Sequence, residues 1–186
     1  MKTIKRIALT LLFITFIVLL FRGFLFRHLI SYKSLGQRAK YSVTEASLVE
    51  CIDESFVKGS DIEIKQIIIL GLSITSDQLS FSASESDTDP NKLIITKKAH
   101  CVGYACFFAA TCNHLLDQFH LDDTWVAKPQ IGQLHFLGTN IHEYSNSPFF
   151  KDHDFVTVEN KKTGEFIGVD PTVHDFLRID FVTYFK

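Results

Sequence analysis

Residues 97–119 read KKAHCVGYACFFAATCNHLLDQF, and this stretch decides the fold. From Cys101 to about Phe119 it is strongly apolar and predicts a buried helix with Cys101 in its first turn. Downstream the pattern changes to strands at Thr124–Val126, Gln133–Leu137, Asp154–Glu159 and Glu165–Val169, with a loop at Asn140–Lys151 between the second and third. Upstream, Ala46, Val49, Ile52 and Phe56 recur at helical spacing behind a Thr44 or Ser cap, and Gly59 closes that helix. Ser60–Asp61 suit the cap of a second helix through Leu72, although Ile67–Ile69 fit a buried strand equally well. Ser80–Asn91 reads as a polar loop braked by Pro90. Its acidic Glu85, Asp87 and Asp89 lack the Gly and distal Glu of a calcium-binding loop. Helices followed by an antiparallel sheet define an α+β domain.

The chain has 186 residues, 46% hydrophobic and 22% charged, with 9 Gly and 4 Pro, which excludes disorder and low complexity and allows one domain with a real core. Four cysteines without a C-x-x-C pair exclude a disulfide scaffold and a zinc ribbon. The net charge of −2 is unevenly spread. Residues 1–40 hold eight Lys/Arg and no acid; the other 11 basic and 21 acidic residues leave 41–186 at −10, a body that repels nucleic acid.

The basic head flanks an apolar run, Ile7–Phe26, interrupted only by Arg22 and Gly23. As one helix it would span about 30 Å, the thickness of a bilayer core. A cleaved signal peptide should end in small residues, and here Phe-Arg-Gly-Phe-Leu-Phe is bulky; a core helix should show a polar face, and Ile7–Phe21 offers two Thr. The expected organisation is a membrane anchor (1–26), a basic juxtamembrane linker (27–40) that could lie on anionic lipid, and a domain (41–186), single-pass and extracytoplasmic. Basic residues on both sides of the run leave the side of the membrane open.

For chemistry, Cys101 has the best position. A thiol at a helix N-terminus feels unsatisfied N–H groups and the positive end of the macrodipole, both favouring thiolate; Lys97, Lys98 and His100 can add positive charge. Cys106 and Cys112 lie deeper in the helix, and Cys51 reads as an ordinary buried thiol. Among eight histidines, His114 and His120 sit too far along the helix to reach Cys101. His153 opens an alternating strand, HDFVTVE, and a second strand, EFIGVD, follows a turn. If 160–163 form a four-residue loop, Glu159 pairs with Gly164 and His153 with Asp170, on one face of the sheet. Asp170 would then orient the imidazole, while Asp154 points the other way. A surface hairpin with a solvent-facing His fits the same residues.

Cys101-Val-Gly-Tyr-Ala105 opening an apolar helix, His153 opening a strand, and Val169-Asp-Pro-Thr172 after the next strand together resemble the transglutaminase-like superfamily over residues 95–175. The resemblance implies a papain-like α+β fold with Cys101 as nucleophile, His153 as general base and acid, and Asp170 as orienter. It also implies acyl transfer from an amide or peptide bond of a protein or peptide substrate to water or an amine, with no cofactor and no metal. It leaves the side-chain oxyanion donor open between guesses such as Gln66 and Gln78. Asp154-Phe155 departs from the small residue and Trp usual after the family's His, and Asp154 is expected to compete for the base's proton. A zinc site among His100, Cys101, Cys106, Cys112 and His114 has the wrong spacing. The remaining alternative is an inactive, membrane-tethered binding domain, with Trp125, Phe136, Tyr144, Phe149 and Phe150 either lining a peptide groove or filling the core.

Overall fold

The computed structural model describes residues 2–56, 62–84, 87–144, 147 and 150–185. The apolar run does not form one helix. It divides at Phe21 into α1 (Lys2–Leu20) and α2 (Arg22–Leu29), bent by 71°. Among the described residues no single helix is long and apolar enough to cross a membrane, and the two reach that length only as a bent pair. Arg22, at the break, ties the chain to its far end. The Arg22 guanidinium donates to the Leu19 carbonyl at 3.2 Å and to the Leu177 carbonyl at 2.6 Å, turning the chain onto the folded domain. From Ile7 to Phe21 the apolar side chains of α1 are exposed, Leu12 and Phe13 by 67% and 64%.

The next segment corrects the expected linker. Residues 30–37 form β1 (Ile30–Gln37), an interior strand of the main sheet, so the domain begins well before residue 41. The basic residues of 27–40 hid a partly alternating Ile30-Ser-Tyr32-Lys-Ser34 pattern in which Tyr32 is fully buried.

Two helices follow. α3 (Ala46–Glu54) takes its cap from afar, because Asn91 Oδ1 accepts from the backbone N–H of Thr44 and Glu45 at 2.7 and 2.9 Å. It stops at Glu54; the expected Gly59 stop and Ser60–Asp61 cap lie outside the described residues, as does Glu85. α4 (Ile64–Gln78) buries Ile67, Ile68, Gly71, Leu72, Ile74 and Thr75 while Ile69 faces out, a spacing only a helix gives, and it runs beyond Leu72.

β2 (Ser80–Phe81) leads to α5 (Pro90–Thr96). Pro90 starts this helix instead of braking a loop, with the Asp89 side chain accepting from Asn91 N, since Pro at the first helical position gives up an N–H that no carbonyl needs. β3 (Lys98–Ala99) pairs parallel with β2 and hands over to α6 (Cys101–Gln118), the expected buried helix.

The strands expected at 124–126 and 133–137 are two ends of one strand, β4 (Trp125–Phe136). Pro129 is tolerated mid-strand because its carbonyl, and hence its missing N–H, faces β1 where that strand ends; it accepts there from Arg38 N. β5 (Thr139–Asn140), a 3₁₀ turn (Ile141–Tyr144), β6 (Phe155–Asn160), β7 (Phe166–Val169), α7 (Pro171–Leu177) and β8 (Thr183–Phe185) complete the order.

The main sheet runs β7-β6-β4-β1-β8, with β5 hydrogen-bonded to β4. Its pairings are antiparallel except β1 with β8, so it is mixed where a purely antiparallel sheet was expected. A bridge between Gly168 and Val182 brings the two edges together and nearly closes it. α6 packs against α4 and the sheet, burying Tyr104 to Cys112 on all sides of its first three turns in the principal core.

Two glycines are set by close approach. A Cβ on Gly103 would lie 2.8 Å from Ala99 Cβ, and one on Gly132 would lie 2.5 Å from the His153 carbonyl oxygen. Gly132→Ala is expected to cost about 1–3 kcal/mol from overpacking against backbone. A chemical-denaturation midpoint indistinguishable from the native protein's would contradict that packing.

Candidate active site

Each residue of the C-V-G-Y run has a positional reason. The His100 side chain caps α6, its Nδ1 accepting from Val102 N at 3.2 Å. Cys101 heads the helix, where its N–H has no helical carbonyl to meet. Gly103 permits contact with β3. Tyr104 is buried and donates to Asp175 Oδ2 at 2.8 Å, tying α6 to α7.

Asp170 is the N-cap of α7 and is fully buried, with all its hydrogen-bonding capacity in use. Oδ1 accepts from the N–H groups of Thr172 and Val173 at 2.9 and 3.0 Å. Oδ2 accepts from Tyr32 Oη at 2.7 Å and pairs with His153 Nε2 at 2.6 Å. Burial pushes this carboxyl upward, but His153, Tyr32 and the Val173 N–H outweigh it and hold Asp170 below its ordinary value. Burial likewise pushes His153 down. The Asp170 charge and hydrogen bond, with a further hydrogen bond to Cys101, overcome this and hold His153 well above its usual range. With Nε2 committed to Asp170, Nδ1 is the nitrogen left to serve the Cys101 thiol. The structure thus brings Cys101, His153 and Asp170 together.

The hairpin register behind this differs from the expected one. Glu159 pairs with Phe166 and Val156 with Val169, because residues 161–164, not 160–163, make the turn. The difference is two residues, one full strand period, so His153 and Asp170 keep the same face. Strand β6 proper begins at Phe155, and His153 is placed by its N–H donating to the Gly132 carbonyl at 2.9 Å.

Asp154 does point away from His153, and its carboxylate is taken. Arg38 grips it at 2.7 Å (Nε) and 3.0 Å (Nη2) and lies 3.7 Å from Asp152. Arg38 therefore holds the residues on both sides of His153, and the expected competition from Asp154 for the base's proton is not borne out. Tyr32 and Arg38 are the functional neighbours that sequence reasoning missed. Both lie in the segment taken for a linker, and only the alternation around Tyr32 signalled a strand.

Cys101 and His153 open into a cleft of about 270 Å³ walled by Phe81, Leu134, Ile141, Phe150 and Phe176, with His142, Asp152 and Thr172 as its polar members. His142 is a further cleft residue that sequence reasoning left in a loop. Its ring is fixed between Leu134 N, which donates to Nε2 at 3.0 Å, and the Phe150 carbonyl 2.6 Å from Nδ1. Of the aromatics considered for a groove, only Phe150 lines the cleft. Trp125 packs on the core, Phe136 and Tyr144 are exposed, and Phe149 lies outside the described residues.

Neither Gln66 nor Gln78, the guesses for a side-chain oxyanion donor, is among the described residues that line the cleft; Gln66 Oε1 caps Glu63 N, and Gln78 Oε1 accepts from Lys97 Nζ. Burial pushes the Cys106 and Cys112 thiols up to about 12, fitting inert core groups. Among the described residues no group of three or more His, Cys, Asp or Glu is arranged to hold a metal ion. Comparison with family models, with curated proteins and with solved structures finds no match to this chain.

Two substitutions probe the geometry. Arg38→Met strands the buried Asp154 and should cost on the order of 3 kcal/mol, the low end of ~3–5 for breaking a buried pair because Arg38 keeps an exposed edge. Urea unfolding measures it, and a loss below half a kcal/mol would mean that the pair contributes little. Tyr32→Phe removes one donor from Asp170 and should leave the fold intact while altering how His153 titrates. An unchanged His153 NMR titration would show that Tyr32 does not act on the pair.

Proposed function

We propose that this protein is a thiol enzyme of transglutaminase-like, papain-like type, held at a membrane by its N-terminal helices and acting on amide or peptide bonds. The observation that carries the reading is the Asp170–His153 hydrogen bond, made in a cleft that also exposes Cys101 at a helix N-terminus. Asp170 fixes the tautomer with the proton on Nε2, leaving Nδ1 to take the thiol proton. The raised basicity of His153 favours a thiolate–imidazolium pair. The thiolate attacks the amide carbonyl carbon, and the Cys101 N–H at the head of α6 is placed to meet the resulting oxyanion. As the C–N bond breaks, His153 returns its proton to the leaving amine. Water or a second amine, deprotonated by His153, then cleaves the thioester and restores the thiol.

Alkylation of Cys101 in the full chain, located by peptide mass, tests the nucleophile. Iodoacetamide should modify Cys101 rapidly at neutral pH and below, and His153→Ala should shift that profile to higher pH with at least a tenfold loss at neutrality. Indifference of Cys101 to His153 would leave only a binding domain. Once a substrate is found, the basic limb of kcat/KM should lie above the ordinary histidine range, because a raised folded-state value keeps the imidazole protonated to higher pH. Asp170→Asn removes the holding charge, so that limb should move to lower pH while kcat/KM falls by about 10²–10⁴. A limb that stays in place would assign the upward shift to another group.

A further inference from the structure

The walls of the Cys101 cleft continue into an exposed apolar surface. Phe176 is 64% exposed and Phe150 55% exposed, and both line the cleft. Leu177 follows Phe176, and its carbonyl accepts from Arg22 at the junction of α1 and α2. At its other end α2 meets the tip of β4, where Leu137 N donates to the Leu29 carbonyl, and Phe136 and Leu137 at that tip are exposed. Leu134 in the same strand is cleft wall, as is Ile141 in the turn that follows. Thus α2 runs from the end of one cleft wall, α7, to the tip of another, β4, and Arg22 places the exposed apolar helix α1 beside them.

Water is a poor solvent for this collection. A helix that is apolar on all sides requires a protein core or lipid around it, and no part of the described chain covers α1. Charge favours the same partner. The connecting helix α2 carries Arg22 and Arg27, and residues 1–40 contain no Asp or Glu, whereas residues 41–186 as a whole are strongly acidic. Asp152, the carboxylate lining the cleft, lies 3.7 Å from Arg38. An anionic headgroup layer complements α2 and repels the acidic body, which places α2 and the cleft walls it joins on the bilayer side.

We infer that the cleft opens onto a lipid bilayer and takes its substrate from it: an amide whose acyl part is a hydrocarbon chain, lodged between Phe150, Ile141 and Phe176 with its carbonyl at Cys101. This rests on the thiol-enzyme reading above and names the substrate class of the same site. At about 270 Å³, just under the ~300–1,000 Å³ usual for ligand pockets, the cleft accommodates one slender chain. The Cys101 sulfur forms a thioester with the acyl carbon as the C–N bond breaks, and the amine leaves with the proton from His153. Water adds to the thioester, giving a fatty acid and the free thiol. The sum is amide plus water to carboxylic acid plus amine, with no redox step.

The test uses the full chain in vesicles of phosphatidylcholine and phosphatidylglycerol, with alkylation of Cys101 by chloromethyl ketones read by mass spectrometry. A long-chain alkyl chloromethyl ketone should react at least tenfold faster than the methyl analogue or a peptidyl one. Phe176→Ser and Phe150→Ser, with folding checked by circular dichroism, should lower the ratio of long-chain to methyl rates at least fivefold, whatever they do to the methyl rate itself. The variants matter because partition of the long-chain reagent into vesicles is unchanged in them. Equal rates for all three reagents, a preference for the peptidyl one, or a long-chain preference untouched by both variants would overturn the lipid-substrate inference and leave the nucleophile standing. Failure of every reagent at Cys101 would instead sink the thiol-enzyme reading. In a second arm, the Phe176→Trp variant in a Trp125→Phe background should have its fluorescence quenched by brominated acyl chains. No quenching there, with quenching in the Phe13→Trp, Trp125→Phe variant, would place the cleft in water and overturn the inference.

Discussion

A single buried carboxylate organises this molecule. Asp170 accepts four hydrogen bonds, from two backbone N–H groups of α7, from Tyr32 of β1 and from His153 at the head of β6. An ionised carboxylate without partners would not persist in such a position, and here the four partners come from three separate parts of the fold. The same bonds that make the charge tolerable fix the start of α7, the position of β1 and the orientation of the imidazole. Structural and chemical demands converge on one side chain.

Arg38 repeats the arrangement just before β6. His153 and Asp154 lead into that strand, and each finds an oppositely charged partner, Asp170 for the first and Arg38 for the second. His153 is therefore held by its side chain at Asp170 and by its backbone, with the Gly132 carbonyl accepting its N–H from the neighbouring strand. Cys101 reaches it from a separate layer, through a helix whose Gly103 allows contact with β3 and whose Tyr104 is bonded to α7. Cys101 and His153 belong to different elements, and α7 connects them through Tyr104–Asp175 and Asp170.

Much of this was legible in the sequence because it depends on short-range patterns. An apolar run after His100 marks α6 and places Cys101 at its start, and alternation marks β6 and β7. Even the misjudged turn left the site intact, since a shift of two residues preserves the face. What could not be read depends on distant partners. The cap of α3 comes from Asn91, the break at Phe21 from carbonyls of α7, and Tyr32 is recognisable as a site residue only once β1 is known to lie between β4 and β8. A stretch rich in Lys and Arg after an apolar run resembles a linker, and its basic residues gave no hint that Tyr32, between Arg27 and Lys33, faces a buried carboxylate.

The pairing of β1 with β8 has a consequence for the order of events during synthesis. The first strand of the domain is completed by the last, and Tyr32 meets Asp170 across 138 positions of chain. Contacts of such separation form late, because long loops must close before they are rewarded. The α-helical layer, with Cys101 at its edge, can gather while the ribosome still holds the C-terminal strands. Cys101 thus takes its place in a helix before His153 and Asp170, which follow it in the chain, reach it, and the strand at residues 183–185 closes the sheet last.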